Sequence, residues 1–111
     1  MIGGNIKALL QMQNGAIKNE IGESVPAWKT VHEITGFLDL SSGDSKRTVY
    51  NSKVQESTHI FICDYFAMSE QITAENSRML IAGLEYDIML IDNPMNLNQH
   101  LEIYLKYTGG Q

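Results

Sequence analysis

The stretch QHLEIYLKY, Gln99 to Tyr107, decides the fold class. Leu101, Ile103, Leu105 and Tyr107 fall on one face, and His100, Glu102, Tyr104 and Lys106 on the other. Alternation of period two over a full strand length marks a half-buried β-strand. Just before it, DNPMN (Asp92–Asn96) reads as a turn, because Pro94 cannot donate to a ladder and Asp92 and Asn93 favour turn geometry. EYDIMLI (Glu85–Ile91) sets Tyr86, Ile88 and Leu90 inward and Glu85, Asp87 and Met89 outward, with Ile91 breaking the pattern. Ala82-Gly83-Leu84 supplies a turn after RMLI, so residues 78–91 read as a β-hairpin and 78–107 as a three-strand antiparallel meander.

Further strands extend the pattern towards the N-terminus. THIFICDY (Thr58–Tyr65) is β-branched and aromatic, and both its faces, His59/Phe61/Cys63/Tyr65 and Ile60/Ile62, are mostly apolar, as for a strand covered on two sides. ITGFLDL (Ile34–Leu40) is another strand, with Gly36 a bulge or a close-packing point. Ile6, Leu9 and Leu10 have helical spacing, but Leu10 and Met12 ahead of Asn14-Gly15 read as a strand entering a tight hairpin, and the Asn-Gly pair favours the strand. About six short strands make an all-β chain: a small closed or partly open antiparallel β-barrel, one domain over 1–111.

Composition bounds the function. A chain of 111 residues with 43% hydrophobic and 19% charged residues suits one globular core. No apolar run approaches the ~20 residues that span a bilayer, so no membrane association is expected. The N-terminus, MIGGNIKALLQMQNG, lacks the long apolar stretch and small-residue cleavage site of a signal peptide. The single cysteine, Cys63, forms no internal disulfide and fits a reducing compartment. Net charge is −5, from eight basic and thirteen acidic residues, against the basic balance usual in nucleic-acid binders.

No enzyme signature stands out, and neither a metal nor a cofactor is expected. His32, His59 and His100 lie far apart, without a short-spaced partner. Cys63, mid-strand amid Ile and Phe, reads as inert core. Glu85 and Asp87 share the outer face of one strand, an ordinary solvated arrangement. GDSKRT lacks the spacing of a phosphate-cradling loop. Tyr50, Tyr65, Phe66, Tyr86, Tyr104 and Tyr107 could stack bases in an oligonucleotide-binding type of barrel, but few basic residues interleave with them.

The unexplained segment is LSSGDSKRTVYNSKVQEST, Leu40 to Thr58, whose core, residues 41–57, reads as a long inter-strand loop. Loops of this length in compact domains are uncommon and usually functional or disordered. Lys46, Arg47 and Lys53 outnumber Asp44 and Glu56 there, whereas seven acids face Arg78 alone between Asp64 and Glu102. TVYNSKV (Thr48–Val54) carries enough β-branched character to pair as a strand with a neighbouring chain.

Taken together, Trp28 in ESVPAWKTV, the long polar excursion, THIFICDY, the run from Arg78 to Gly83 into YDIMLIDNP and the last alternating strand resemble the head-completion, or stopper, proteins of tailed bacteriophages. The most specific pieces are Trp28, the G-x-x-Y-x-I unit (Gly83, Tyr86, Ile88) and the Asn93-Pro94 turn, which the resemblance implies are structural. It implies a virion protein, made in the bacterial host cytoplasm, that forms a homo-oligomeric ring of about twelve copies in the head–tail connector. Such a ring sits between portal or adaptor and tail proteins and closes the channel on packaged double-stranded DNA. Carried onto this chain, Lys46, Arg47 and Lys53 face the channel and DNA, while Asp44, Thr48, Val49, Tyr50, Val54 and Glu56 pair subunit to subunit. The alternatives are an oligonucleotide-binding module and another ring-forming tail component, such as a tail terminator.

Overall fold

The computed structural model describes Gly4, residues 6–40 and residues 57–108. Six strands, β1 (Ile6–Lys18), β2 (Ser24–Leu40), β3 (His59–Asp64), β4 (Ser77–Ile81), β5 (Leu84–Asp92) and β6 (His100–Tyr107), carry the chain, with one short 3-10 turn at Pro94–Asn96. All pairings are antiparallel, in the order β1-β2-β3-β6-β5-β4 and back to β1, which closes a barrel. Closure leaves no open edge in the barrel wall. The all-β reading therefore holds, as does the β4–β5–β6 meander, joined by the two-residue turn Ala82-Gly83, both at positive φ.

Every strand sends side chains inward. Leu10, Phe61, Cys63, Met79, Ile81, Ile103 and Leu105 are fully buried, joined by Ala8, Ile34, Tyr86, Ile88 and Leu101. The alternation of β6 is visible directly: Leu101, Ile103 and Leu105 are buried between half-buried or exposed neighbours. Gly36 is a close-packing point. A Cβ there would lie 2.4 Å from the Ile62 carbonyl oxygen and 2.9 Å from the Phe61 ring, so only glycine lets β2 approach β3.

Four expectations need correction. β1 does not turn at Asn14-Gly15. Gln13 pairs with Trp28 and Ala16 with Pro26, so Asn14 and Gly15 oppose Ala27 alone and form a β-bulge. The turn comes at Asn19–Glu23, where the Asn19 carboxamide oxygen accepts from the amides of Ile21 and Glu23. A left-handed-capable Asn-Gly pair serves a bulge as well as a hairpin, and the continuing strand character of Ala16-Ile17 and Val25 decides between them. Second, β2 begins at Ser24, ten residues before Ile34; Pro26 is tolerated because that part of β2 pairs on one side only.

Third, Leu90 does not point inward. Ile88 pairs with Leu105 and Leu90 with Tyr104, leaving Met89 as an extra residue that flips the faces, so Ile91 packs on the core instead. Fourth, three of the five residues named as structural lie outside the core. Trp28 is half-buried on the outer face, Gly83 is exposed in its turn and Pro94 is half-buried in the 3-10 turn; Tyr86 and Ile88 are core. A tryptophan reads as core by size alone, but Trp28 shares a face with Gln13 and Thr30, away from the barrel interior.

Candidate functional site

The bulge and the late turn turn β1 and β2 into an arm. β1 pairs with β4 only from Ala8 to Met12, and β2 with β3 only from Gly36 to Leu40. Beyond these limits the two strands pair with each other alone, up to Lys18 and Ser24. The long axis of the molecule, 45 Å against 26 Å across, reflects this extension. A two-stranded ribbon without a covering layer is marginal in water. Ile17 is 59% and Ile21 79% exposed near its tip, where Asn19 holds the turn with a further bond from its amide nitrogen to Glu23. Sequence reading missed the arm, whose apolar Ile17 and Val25 are paired across the ribbon rather than spaced along one strand.

At the base of the arm the Arg78 guanidinium lies 4.4 Å over the Trp28 ring. Its Nε donates to Gln11 Oε1 at 2.9 Å, and a terminal nitrogen pairs with Glu85 at 3.2 Å. Gln11 in turn donates to the Thr30 hydroxyl. Arg78 is thus committed on three sides and splints β1, β2, β4 and β5 on the outer face.

The opposite end holds a ring cluster. His59 stacks edge-on against Tyr86 at 5.2 Å and faces Tyr107 at 6.5 Å, and the two tyrosines are 5.4 Å apart. Burial pushes the Tyr86 phenol up from its ordinary range, with Tyr107 adding to the shift. Thr58 ties this end: its hydroxyl accepts from the Tyr107 amide and contacts His59 Nδ1. Here β2 stops at Leu40 and the described chain resumes at Ser57. Lys46, Arg47, Lys53, Asp44, Thr48, Val49, Tyr50, Val54 and Glu56 all lie outside the described residues.

Among the described residues no group of three His, Cys, Asp or Glu is placed to hold a metal. His32 packs on Phe66, His100 pairs with Glu102 at 3.1 Å and His59 sits at the opposite barrel end from His32. The Cys63 thiol is buried, and desolvation, helped by neighbouring Asp64, pushes its pKa up to about 11. A thiol held neutral in this way is a poor nucleophile. The aromatic residues do not gather on one face either: Tyr86 is interior, Tyr104 lies on the outer face bonded to Glu102, and Tyr65 and Phe66 leave the far end of β3. No helix among the described residues is long and apolar enough to cross a membrane.

The arm end is closed by the connection between β3 and β4, where Ile72 is buried and Phe66, Met68 and Ala74 pack on the core. Asn76 stiffens it by accepting from the Thr73 amide and donating to the Gln71 carbonyl. Between this connection and Met89, Leu90 and Ile91 of β5 lies a hollow of about 440 Å³. No family model matches the chain, and no curated protein is significantly similar to it in sequence.

Proposed function

We propose that this protein is a structural connector subunit that assembles as a ring between the portal or adaptor and the tail of a bacteriophage particle. The observation that carries the reading is the arm: a closed barrel extends a braced two-stranded ribbon whose exposed Ile17 and Ile21 find no cover among the described residues. Exposed apolar tips of this kind are features of assembling subunits. The sequence resemblance supplies the identity of the assembly, and the arm supplies a reason for the subunit to have neighbours. The arm and the end of β2 at Leu40 lie at opposite barrel ends; in this reading one end meets the next ring component and the other a neighbour or the channel.

In this reading Lys46, Arg47 and Lys53 face packaged DNA, and Thr48–Val54 with Asp44 and Glu56 pair between subunits. A weakly basic loop on an acidic body suits a channel through which DNA must later leave, because strong phosphate binding would slow release. Deleting residues 43–55 tests it. The barrel should stay folded while particles lose packaged DNA or fail to take tails; particles that retain both would refute the gate.

A further inference from the structure

We infer that Asn14 is a self-modification site, where deamidation through the Gly15 amide converts the base of the arm to aspartate and isoaspartate. The chemistry needs a free carboxamide, an unhindered amide nitrogen on the next residue, and a backbone able to bring the two together. Asn14 is exposed, and its carboxamide makes no hydrogen bond among the described residues. Gly15 has no side chain to shield its nitrogen, and a Cβ built there would meet nothing within 4 Å. It sits at φ +76°, and the bulge leaves both residues without a paired position on β2. The Gln13 amide still bonds the Asn76 carbonyl at 2.8 Å, and beyond it β1 pairs with β2 alone. Asn14 is therefore the first residue of the ribbon, which opens locally more readily than the barrel wall.

The other asparagines among the described residues each lack a condition. Asn19 accepts from the Ile21 and Glu23 amides and donates to the Glu23 carboxylate. Asn76 accepts from the Thr73 amide and the Ser77 hydroxyl and donates to the Gln71 carbonyl. Asn93 and Asn98 bond each other, and Pro94 after Asn93 has no amide proton to lose. Asn96 precedes Leu97, whose amide is engaged with the Pro94 carbonyl. At Asn14 the step balances with water as the co-reactant. The Gly15 amide loses its proton to solvent hydroxide, and its nitrogen attacks Asn14 Cγ. A C–N bond closes a five-membered succinimide while the bond from Cγ to the carboxamide nitrogen breaks, releasing ammonia. Water then opens the imide: at Cγ it gives aspartate, at the main-chain carbonyl isoaspartate. Either product adds a carboxylate. Isoaspartate also lengthens the backbone by one methylene inside the bulge, which displaces Ala16–Lys18 against Ser24–Pro26. The modification loosens the arm irreversibly at its hinge, independent of the connector reading.

The test is incubation of the purified full chain in mildly alkaline buffer, with site and isomer read by peptide-mapping mass spectrometry and isoaspartate counted by isoaspartyl methyltransferase labelling. Conversion at Asn14 should run at least about tenfold faster than at Asn19, Asn76 or Asn98, whose carboxamides must first give up hydrogen bonds. It should speed up as pH rises and vanish in Asn14→Gln, whose longer side chain closes the larger imide ring poorly. In the separated isoaspartate form, amides from Ala16 to Val25 should lose hydrogen-exchange protection while those of β3 and β6 keep theirs. Asn14→Asp, which brings the charge without the methylene, should leave the arm protected. Conversion at Asn14 no faster than at Asn76, or suppressed about tenfold relative to the urea-unfolded chain, would overturn the site. Arm amides unchanged in the isoaspartate form, or lost equally in Asn14→Asp, would overturn the loosening at the hinge.

Discussion

Replacing Gly36 by alanine inserts one methyl where β1, β2 and β3 meet. Gly36 pairs with Ile6 on one side and Cys63 on the other. The new Cβ would sit 2.4 Å from the Ile62 carbonyl oxygen and 2.9 Å from Phe61, and the Gly4 backbone also crowds this point. The carbonyl is part of the ladder and cannot rotate away as a side chain would. Overpacking usually costs about 1–3 kcal/mol, and a backbone clash in a closed barrel belongs at or above the upper end, so about 3 kcal/mol is expected. Gly83→Ala is the internal control. Gly83 has φ of +80° with nothing within 4 Å of a Cβ, so its cost is conformational alone, about 1–2 kcal/mol. Equilibrium urea unfolding, read by far-ultraviolet dichroism and by the fluorescence of Trp28, the single tryptophan, measures both. A Gly36→Ala loss no larger than that of Gly83→Ala would refute the close-packing argument.

Three further outcomes follow from the same geometry. Deleting residues 16–27 joins Gly15 to Trp28 and leaves Asn14-Gly15 as a two-residue turn between the paired Gln13 and Trp28; the barrel should change in stability by no more than about 1 kcal/mol in urea, while any assembly seen by sedimentation is lost. Trp28→Ala should cost about 1–2 kcal/mol, below the ~3–5 of a core tryptophan, because it removes an outer-face stack on Arg78 and leaves the core intact. The Cys63 thiol has a folded pKa of about 11 against an unfolded value near 9, so the folded state holds its proton more tightly; stability is intact below about pH 9 and falls by about 2–3 kcal/mol as pH rises through 11, a slope that Cys63→Ala should flatten in urea titrations.

The fold was legible where side-chain alternation survives and illegible where one inserted residue resets it. β6 and the Ala82-Gly83 turn follow directly from the sequence, because inward and outward residues differ in polarity and the turn pair accepts positive φ. Met89 defeats the same rule in β5: a bulge is invisible to a period-two count, so Leu90 and Ile91 exchange faces. Asn14-Gly15 misleads for a related reason, since bulge and hairpin ask for the same backbone. The arm was missed because its strands carry small and polar residues that pair with each other without a core to enforce a pattern. The hollow is a tertiary feature, built from residues some twenty positions apart that no local spacing joins.

The central claim is that this chain is a ring-forming connector subunit. Electron-microscopy class averages of the protein mixed with bacteriophage portal–adaptor complexes test that claim most directly. The account predicts an added ring below the adaptor, absent when the arm residues 16–27 are deleted. Portal–adaptor complexes unchanged by saturating protein, with the chain remaining monomeric, would contradict it.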